Sequence, residues 1–133
     1  MNLLLTMVGK YQRFRDEGFG IPKYLLPFGK SMVLTKIIES LVAYWQAPES
    51  RSRNSIFLAA NKSDQDWEYI LLSILREFKT IQSRVIWLDD TKGQAETAYL
   101  AIKQFGIDVN EPILIHNIDT ILVNRDLNSI EEI

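Results

Sequence analysis

Cations and glycines are concentrated in one short stretch near the N-terminus. Residues 8–30, "VGKYQRFRDEGFGIPKYLLPFGK", hold five lysines and arginines, four glycines and two prolines. Glycine lets a backbone approach phosphate closely, successive N–H groups form an anion nest, and Lys or Arg adds charge-assisted hydrogen bonds. The stretch is not a P-loop, because no Gly-Lys-[Ser/Thr] triplet opens the following helix in the required spacing, and it lacks G-x-G-x-x-G. The residue types support a polyphosphate cradle and a solvated basic loop equally.

Two later segments also carry residues that suit an anion or a metal. In "DDTKGQAETA" (89–98) a Thr-x-Gly turn leads into a helix, whose free N–H groups and positive dipole end attract anions. The alternative is a capped helix start, with Thr91 as the cap and Glu96 near the first turn. In "ILIHNIDT" (113–120) Asp119 follows an apolar strand, a position that suits Mg²⁺ bound jointly by a carboxylate and phosphate oxygens. There the alternative is an Asx-type turn.

Composition limits the classes of function. The chain has 133 residues, 47% hydrophobic and 24% charged, which predicts one globular domain. Its net charge of −2 argues against a general nucleic-acid or anionic-membrane binder. Residues 1–30, with five cations and two carboxylates, favour a small anionic ligand. We expect a cytoplasmic protein, because "MNLLLTMVGK" lacks signal-peptide features and no apolar run approaches a membrane span.

The side-chain inventory excludes further chemistries. There are no cysteines, which excludes disulfides, thiolate catalysis and cysteine-rich zinc sites. His116 is the only histidine. With no second histidine or cysteine available, we expect it to be a hydrogen-bonded structural or site-lining group.

Hydrophobic patterns predict alternating strands and helices. Short apolar runs at 2–8, 55–60, 84–88 and 112–117 indicate buried strands. Helical periodicity indicates helices from a Ser31 cap to about residue 45, from residue 63 or 64 to about 78, and at 93–105; "LNSIEEI" is compatible with a further helix start. This order predicts an α/β fold with a mostly parallel sheet and helices on both faces. Ligands in such folds bind at the carboxyl ends of the strands, here followed by segments 9–30, 61–66, 89–97 and 116–120. Three of these four segments, all except 61–66, contain candidate ligand-binding residues as well as residues typical of turns.

In order and spacing, these three segments resemble the sugar-1-phosphate nucleotidyltransferase family. The first matches the family pattern G-x-G-x-R-F, G-x-x-x-P-K-x-L-L-P and the turn that follows, at Gly9, Arg13, Phe14, Gly18, Pro22, Lys23, Leu25, Leu26, Pro27, Gly29, Lys30 and Met32. Gly93 and Thr97 match its G-x-x-x-T motif, and Asn117 with Asp119 match N-x-D. Tyr11 stands where the family has glycine, and Ser31 where it has proline.

The resemblance implies a fold and a reaction. The fold is a Rossmann-like three-layer α/β/α domain of the nucleotidyltransferase (GT-A-like) type, shortened at the C-terminus. Residues 1–133 would form a single domain, the nucleotide-binding part, without the sugar-binding part and its second metal-binding aspartate. In the implied reaction, part of nucleotide-sugar biosynthesis, a nucleoside triphosphate and a sugar 1-phosphate give a nucleoside-diphosphate sugar and pyrophosphate.

The resemblance also implies residue roles. Gly9, Lys10 and Arg13 would bind the triphosphate, and Arg13 and Lys23 would act in catalysis. Gly93 and Gln94 would lie near the base, and Asp119 would bind Mg²⁺. The expected partners are the two substrates, neither nucleic acid nor membrane, and the sequence leaves homo-oligomerisation open. The alternative is a truncated, catalytically inactive module that binds nucleotide or sugar phosphate, or an oligomerising interaction protein with an exposed sheet edge.

Overall fold

The computed structural model describes residues 2–9, 21–42, 54–79, 81–108 and 110–118. Contacts group the chain into two compact units: Met1–Lys10 with Arg53–Asn117, and Tyr11–Ser52 with Ile118–Ile133. In chain order the strands and α-helices are β1 (Asn2–Met7), β2 (Pro27–Phe28), β3 (Ser31–Met32), α1 (Val33–Val42), β4 (Ser55–Asn61), α2 (Glu68–Arg76), β5 (Gln82–Leu88), α3 (Gln94–Phe105) and β6 (Ile113–Asn117). Short 3-10 helices cover Lys23–Leu25 and Lys62–Trp67.

The first unit is built on a parallel four-stranded sheet. The strand order is β5-β4-β1-β6, and every adjacent pair is parallel. All six residues of β1 are buried, as expected of an interior strand in a sheet of this class. The predicted α/β class and mostly parallel sheet are therefore confirmed.

Helix α3 packs on this sheet through small residues and one aromatic ring. Ala98, Ala101 and Phe105 join Leu4 and Ala59 in the core cluster of the unit. The two alanines let the helix approach the sheet closely, while the Phe105 ring lies 4.7 Å from that of Phe57. The helix ends as predicted at Gly106, whose left-handed φ of 68° favours glycine. This packing fixes the N-terminus of α3 relative to the sheet.

The second unit contains a hairpin that the sequence did not predict. Phe28 pairs with Ser31 across a turn of Gly29 and Lys30, and Gly29 has a φ of 62°. The prediction that Ser31 caps a helix is therefore wrong, because Ser31 lies in β3 and helix α1 begins at Val33. Four apolar residues of the predicted helical spacing are buried in α1, namely Leu34, Ile37, Ile38 and Leu41, and Thr35 is buried as well.

The segment after β4 also differs from the prediction. A single helix was expected from residue 63 or 64, but a 3-10 turn precedes α2. The Asn61 side chain accepts a hydrogen bond from the Ser63 N–H at 2.9 Å, which caps this tight turn. Asp64 within it is buried. The compatible helix start in "LNSIEEI" lies outside the described residues.

None of the described helices combines the length and the apolar character that a membrane span requires.

Candidate functional site

The strand order reverses at one point of the parallel sheet. From β1 the chain moves to β4 and β5 on one side, and then crosses to β6 on the other side of β1. In open α/β sheets, ligands bind outside the carboxyl ends of the strands that flank such a reversal. Here those strands are β1 and β6, which are followed by the first and third of the motifs found in the sequence. The carboxyl edge of this sheet is therefore the candidate site.

The ends of β1 and β6 lie side by side at this edge. Thr6 pairs with Asn117, and Leu5 pairs with His116. Gly9 follows β1 by two residues and is exposed. Asn117 is also exposed, while His116 is 9% exposed and its Nδ1 is hydrogen-bonded to the Asn117 carbonyl. His116 is thus a hydrogen-bonded group of the strand end, as the sequence predicts.

The turn before α3 depends on a glycine. Gly93 occupies the N-cap position with φ 156° and ψ −175°, a backbone conformation that is essentially restricted to glycine. Apart from Gly93 and its two neighbours in the chain, no atom of the described residues lies within 4 Å of the position that a Cβ would occupy here. No side chain caps the helix at this position. Gly93 and the exposed Gln94 that follows it therefore present backbone and open space at the helix N-terminus.

Thr91 holds this turn together instead of capping the helix. Its hydroxyl lies 2.6 Å from the Thr97 hydroxyl and 3.3 Å from the Gly93 carbonyl oxygen. The Thr97 hydroxyl donates to the same carbonyl at 3.0 Å, and Thr97 is 2% exposed. The alternative in which Thr91 is the cap is therefore wrong. The sequence identified Thr97 only as a match to the G-x-x-x-T motif. In the structure its hydrogen bonds fix the shape of the turn.

We expect Thr97→Val to lower the free energy of unfolding by about 1–3 kcal/mol, because the buried hydroxyl is lost while its partners remain. Valine keeps the shape of threonine, so little of this loss comes from packing. Chemical denaturation measures the change. The control Thr97→Ser keeps the hydroxyl, and a loss for serine as large as that for valine would contradict the explanation.

Asn61 connects three segments of the chain at this edge, a role that the sequence did not predict. Its amide nitrogen donates to the Val8 carbonyl at 2.9 Å and to Asp90 Oδ1 at 2.8 Å. Its amide oxygen accepts from the Ser63 N–H. Segment 61–66 had been interpreted as a turn only. An amide residue at the very end of a buried apolar strand was the signal available in the sequence.

One surface ion pair lies beside these bonds. Lys62 Nζ is 3.3 Å from Asp89 Oδ2, and the two side chains are 55% and 84% exposed. An ion pair this exposed contributes little to stability.

Lys23 lies in the second unit, on a turn that is packed against its neighbours. It begins the 3-10 helix in which Tyr24 is fully buried and Leu25 is 5% exposed. The Leu25 N–H donates to the Pro22 carbonyl at 2.9 Å, and the helix packs against α1 of the same unit. Packing and this hydrogen bond thereby stabilise the backbone that carries Lys23.

The remaining predicted site residues, Lys10, Arg13 and Asp119, lie outside the described residues, as does Tyr11. Among the described residues there is no group of three or more His, Cys, Asp or Glu side chains that could hold a metal ion. Mg²⁺ commonly needs only one or two carboxylates when phosphate oxygens and waters complete its shell. An aspartate two residues beyond β6 has the right donor chemistry for such a site.

Comparison with known proteins gives a shared fold. No protein-family model matches the chain, and no curated protein does. The crystal structure of the nucleoside-diphosphate-sugar pyrophosphorylase from Vibrio cholerae RC9 is similar, with a TM-score of 0.71 and 22% sequence identity. The similarity covers 96% of this chain and 52% of that one, so the chain spans about half the length of the solved structure. The chain therefore shares the α/β fold of this solved structure over about half of that structure's length.

Proposed function

We propose that this chain binds a nucleoside triphosphate at the carboxyl edge of its parallel sheet, for nucleotidyl transfer to a sugar 1-phosphate. The observation that carries the proposal is the reversal of strand order between β1 and β6. It makes neighbours of two strands that precede separate motifs, in a fold shared with a pyrophosphorylase. The strand order of the sheet and the spacing of the motifs in the sequence are independent observations, and each supports the proposal.

The chain's residues take separate roles in binding. Gly9, Lys10 and Arg13 hold the triphosphate, with the exposed Gly9 giving the phosphates close access to the backbone. Gly93 and Gln94 lie beside the base. The glycine-only conformation of Gly93 and the empty space around it support a close approach by a planar ligand.

The reaction needs positioning and charge neutralisation, without a covalent enzyme intermediate. A phosphate oxygen of the sugar 1-phosphate attacks the α-phosphorus of the triphosphate. The bond from that phosphorus to the oxygen bridging to the β-phosphate breaks, and pyrophosphate leaves with the bonding electrons. Arg13 and Lys23 offset the negative charge that develops on the oxygens of the reacting phosphate.

Asp119 is the residue that we propose to hold Mg²⁺, together with phosphate oxygens of the triphosphate. When bound, the ion would neutralise phosphate charge and favour departure of pyrophosphate.

Calorimetric titration with each nucleoside triphosphate in the presence of Mg²⁺ tests binding. An assay of pyrophosphate release with a panel of sugar 1-phosphates then tests the reaction. We expect one triphosphate to bind best and to release pyrophosphate only when a sugar 1-phosphate is present. Binding without release would instead support an inactive binding module, and the absence of any binding would overturn the proposal.

A further inference from the structure

The Asn61 side chain uses both of its amide hydrogens and its oxygen in hydrogen bonds. Two acceptors face the nitrogen, the Val8 carbonyl at 2.9 Å and Asp90 Oδ1 at 2.8 Å, while the Ser63 N–H faces the oxygen. The opposite orientation of the amide would place its oxygen against two acceptors, so the donors and acceptors fix its direction. Asn61 itself is only 4% exposed.

These bonds join loops that are far apart in sequence. Val8 immediately precedes Gly9, where the proposed phosphate-binding loop begins. Asp90 belongs to the turn that leads to Gly93 and α3. Asn61, at the end of β4, lies in the strand between them in the sheet order β5-β4-β1. One buried amide therefore connects the start of one proposed ligand-binding segment to the start of another.

We infer that Asn61 is a positioning residue that couples the phosphate loop after β1 to the base-side loop after β5. The inference rests on the proposed function in assigning ligands to those loops, but the coupling itself is a property of the free protein. Because both donors come from one planar amide, a displacement of Asp90 changes the direction of the N–H that holds Val8. The loop that binds the triphosphate and the loop that binds the base would thus be held in a fixed position relative to each other.

Substitutions at Asp90 and Asp89 give a matched pair of probes. Asp90→Ala removes an acceptor of the Asn61 amide. Asp89→Ala removes a carboxylate one residue away, which pairs with the exposed Lys62 instead. Both changes remove one negative charge from the same exposed turn, and it is Asp90 that is hydrogen-bonded to Asn61.

Amide chemical shifts of the full chain without ligand test the coupling. We expect Asp90→Ala to shift the Gly9 N–H resonance, across the sheet, as well as that of Gly93. We expect Asp89→Ala to shift the N–H resonances of its own turn and to leave the Gly9 N–H resonance unchanged. In an Asn61→Ala background, the effect of Asp90→Ala on Gly9 should disappear. A Gly9 resonance that does not respond to Asp90→Ala, or responds equally to Asp89→Ala, would overturn the inference even if the Asn61 variant does not fold.

A second measurement exchanges the donor and the acceptor of the hydrogen bond between Asn61 and Asp90. Asn61→Asp places a carboxylate against the Val8 carbonyl and the Asp90 carboxylate, and we expect at least a tenfold rise in the Kd for the best-bound nucleoside triphosphate. The double variant Asn61→Asp with Asp90→Asn restores one donor–acceptor pair in reverse and should recover part of that loss. A double variant that binds no better than Asn61→Asp would count against the coupling. If the unmodified chain binds no triphosphate, the proposed function fails, while the amide shifts still decide the inference.

Discussion

Replacing Lys23 with alanine is expected to lower the rate of pyrophosphate release about a hundredfold or more and to leave the fold intact. Removing one preformed donor to a transition-state charge typically costs a factor of about 10²–10³ in rate. The backbone at Lys23 is held by the buried Tyr24 and Leu25 and by the bond from Leu25 N–H to the Pro22 carbonyl. An alanine at position 23 therefore leaves this support in place. Steady-state rates of pyrophosphate release, together with far-ultraviolet circular dichroism, measure both parts of the expectation.

Lys36→Ala is the control for the loss of charge. Lys36 lies in α1 of the same unit and pairs with Glu39 at 3.5 Å, with the two side chains 38% and 47% exposed. Its removal changes the net charge as Lys23→Ala does, and we expect the rate to stay within about twofold, because a partly exposed pair contributes under about 1 kcal/mol. Full activity in the Lys23 variant would show that this lysine does not act on the reacting phosphate.

Leu4→Ala is expected to reduce the free energy of unfolding by about 3 kcal/mol, within the range of about 2–5 kcal/mol known for buried leucines. Leu4 is fully buried in the interior strand and belongs to the cluster that docks α3. Its loss leaves a cavity between sheet and helix that close packing prevents from collapsing. A domain with about 5–15 kcal/mol of total stability would lose a large part of it. Urea denaturation measures the change.

Leu72→Ala is the matched control for this change. Leu72 in α2 is 39% exposed, so the same truncation removes less buried surface. We expect a loss under about 1 kcal/mol. If the two variants were destabilised equally, the α3 face of the sheet would not be the stabilising core of this unit.

The fold followed from the sequence where hydrophobic period and length agreed. The apolar run in β1 and the helical spacing in α1 each had one interpretation, and the structure confirms both. The hairpin of β2 and β3 was missed because each strand has only two residues, too few to show a period. Ser31 was misassigned because the strand that contains it, β3, was missed. A serine before an apolar helical pattern otherwise favours a helix cap.

The candidate site was predicted in part. Strand ends followed by glycine and polar residues indicated where loops would gather, and Gly93 lies in the turn between β5 and α3. The role of Asn61 depends on hydrogen bonds to residues 53 and 29 positions away, which sequence spacing does not reveal. They follow from the strand order, which sets β4 between β1 and β5. The roles of Arg13, Lys23 and Asp119 stay predictions.

The interior place of β1 has a consequence for how the chain is made. Asn2 pairs with Ser55 on one side and with Ile113 on the other. Among the described strands of this sheet, the completely buried β1 therefore comes first in the chain, and β6, its second neighbour, comes last. Contacts between positions so distant in the chain make folding slow, and an apolar strand with unpaired edges is open to association with other chains. We therefore expect β1 to be open to such association until both of its neighbouring strands have formed.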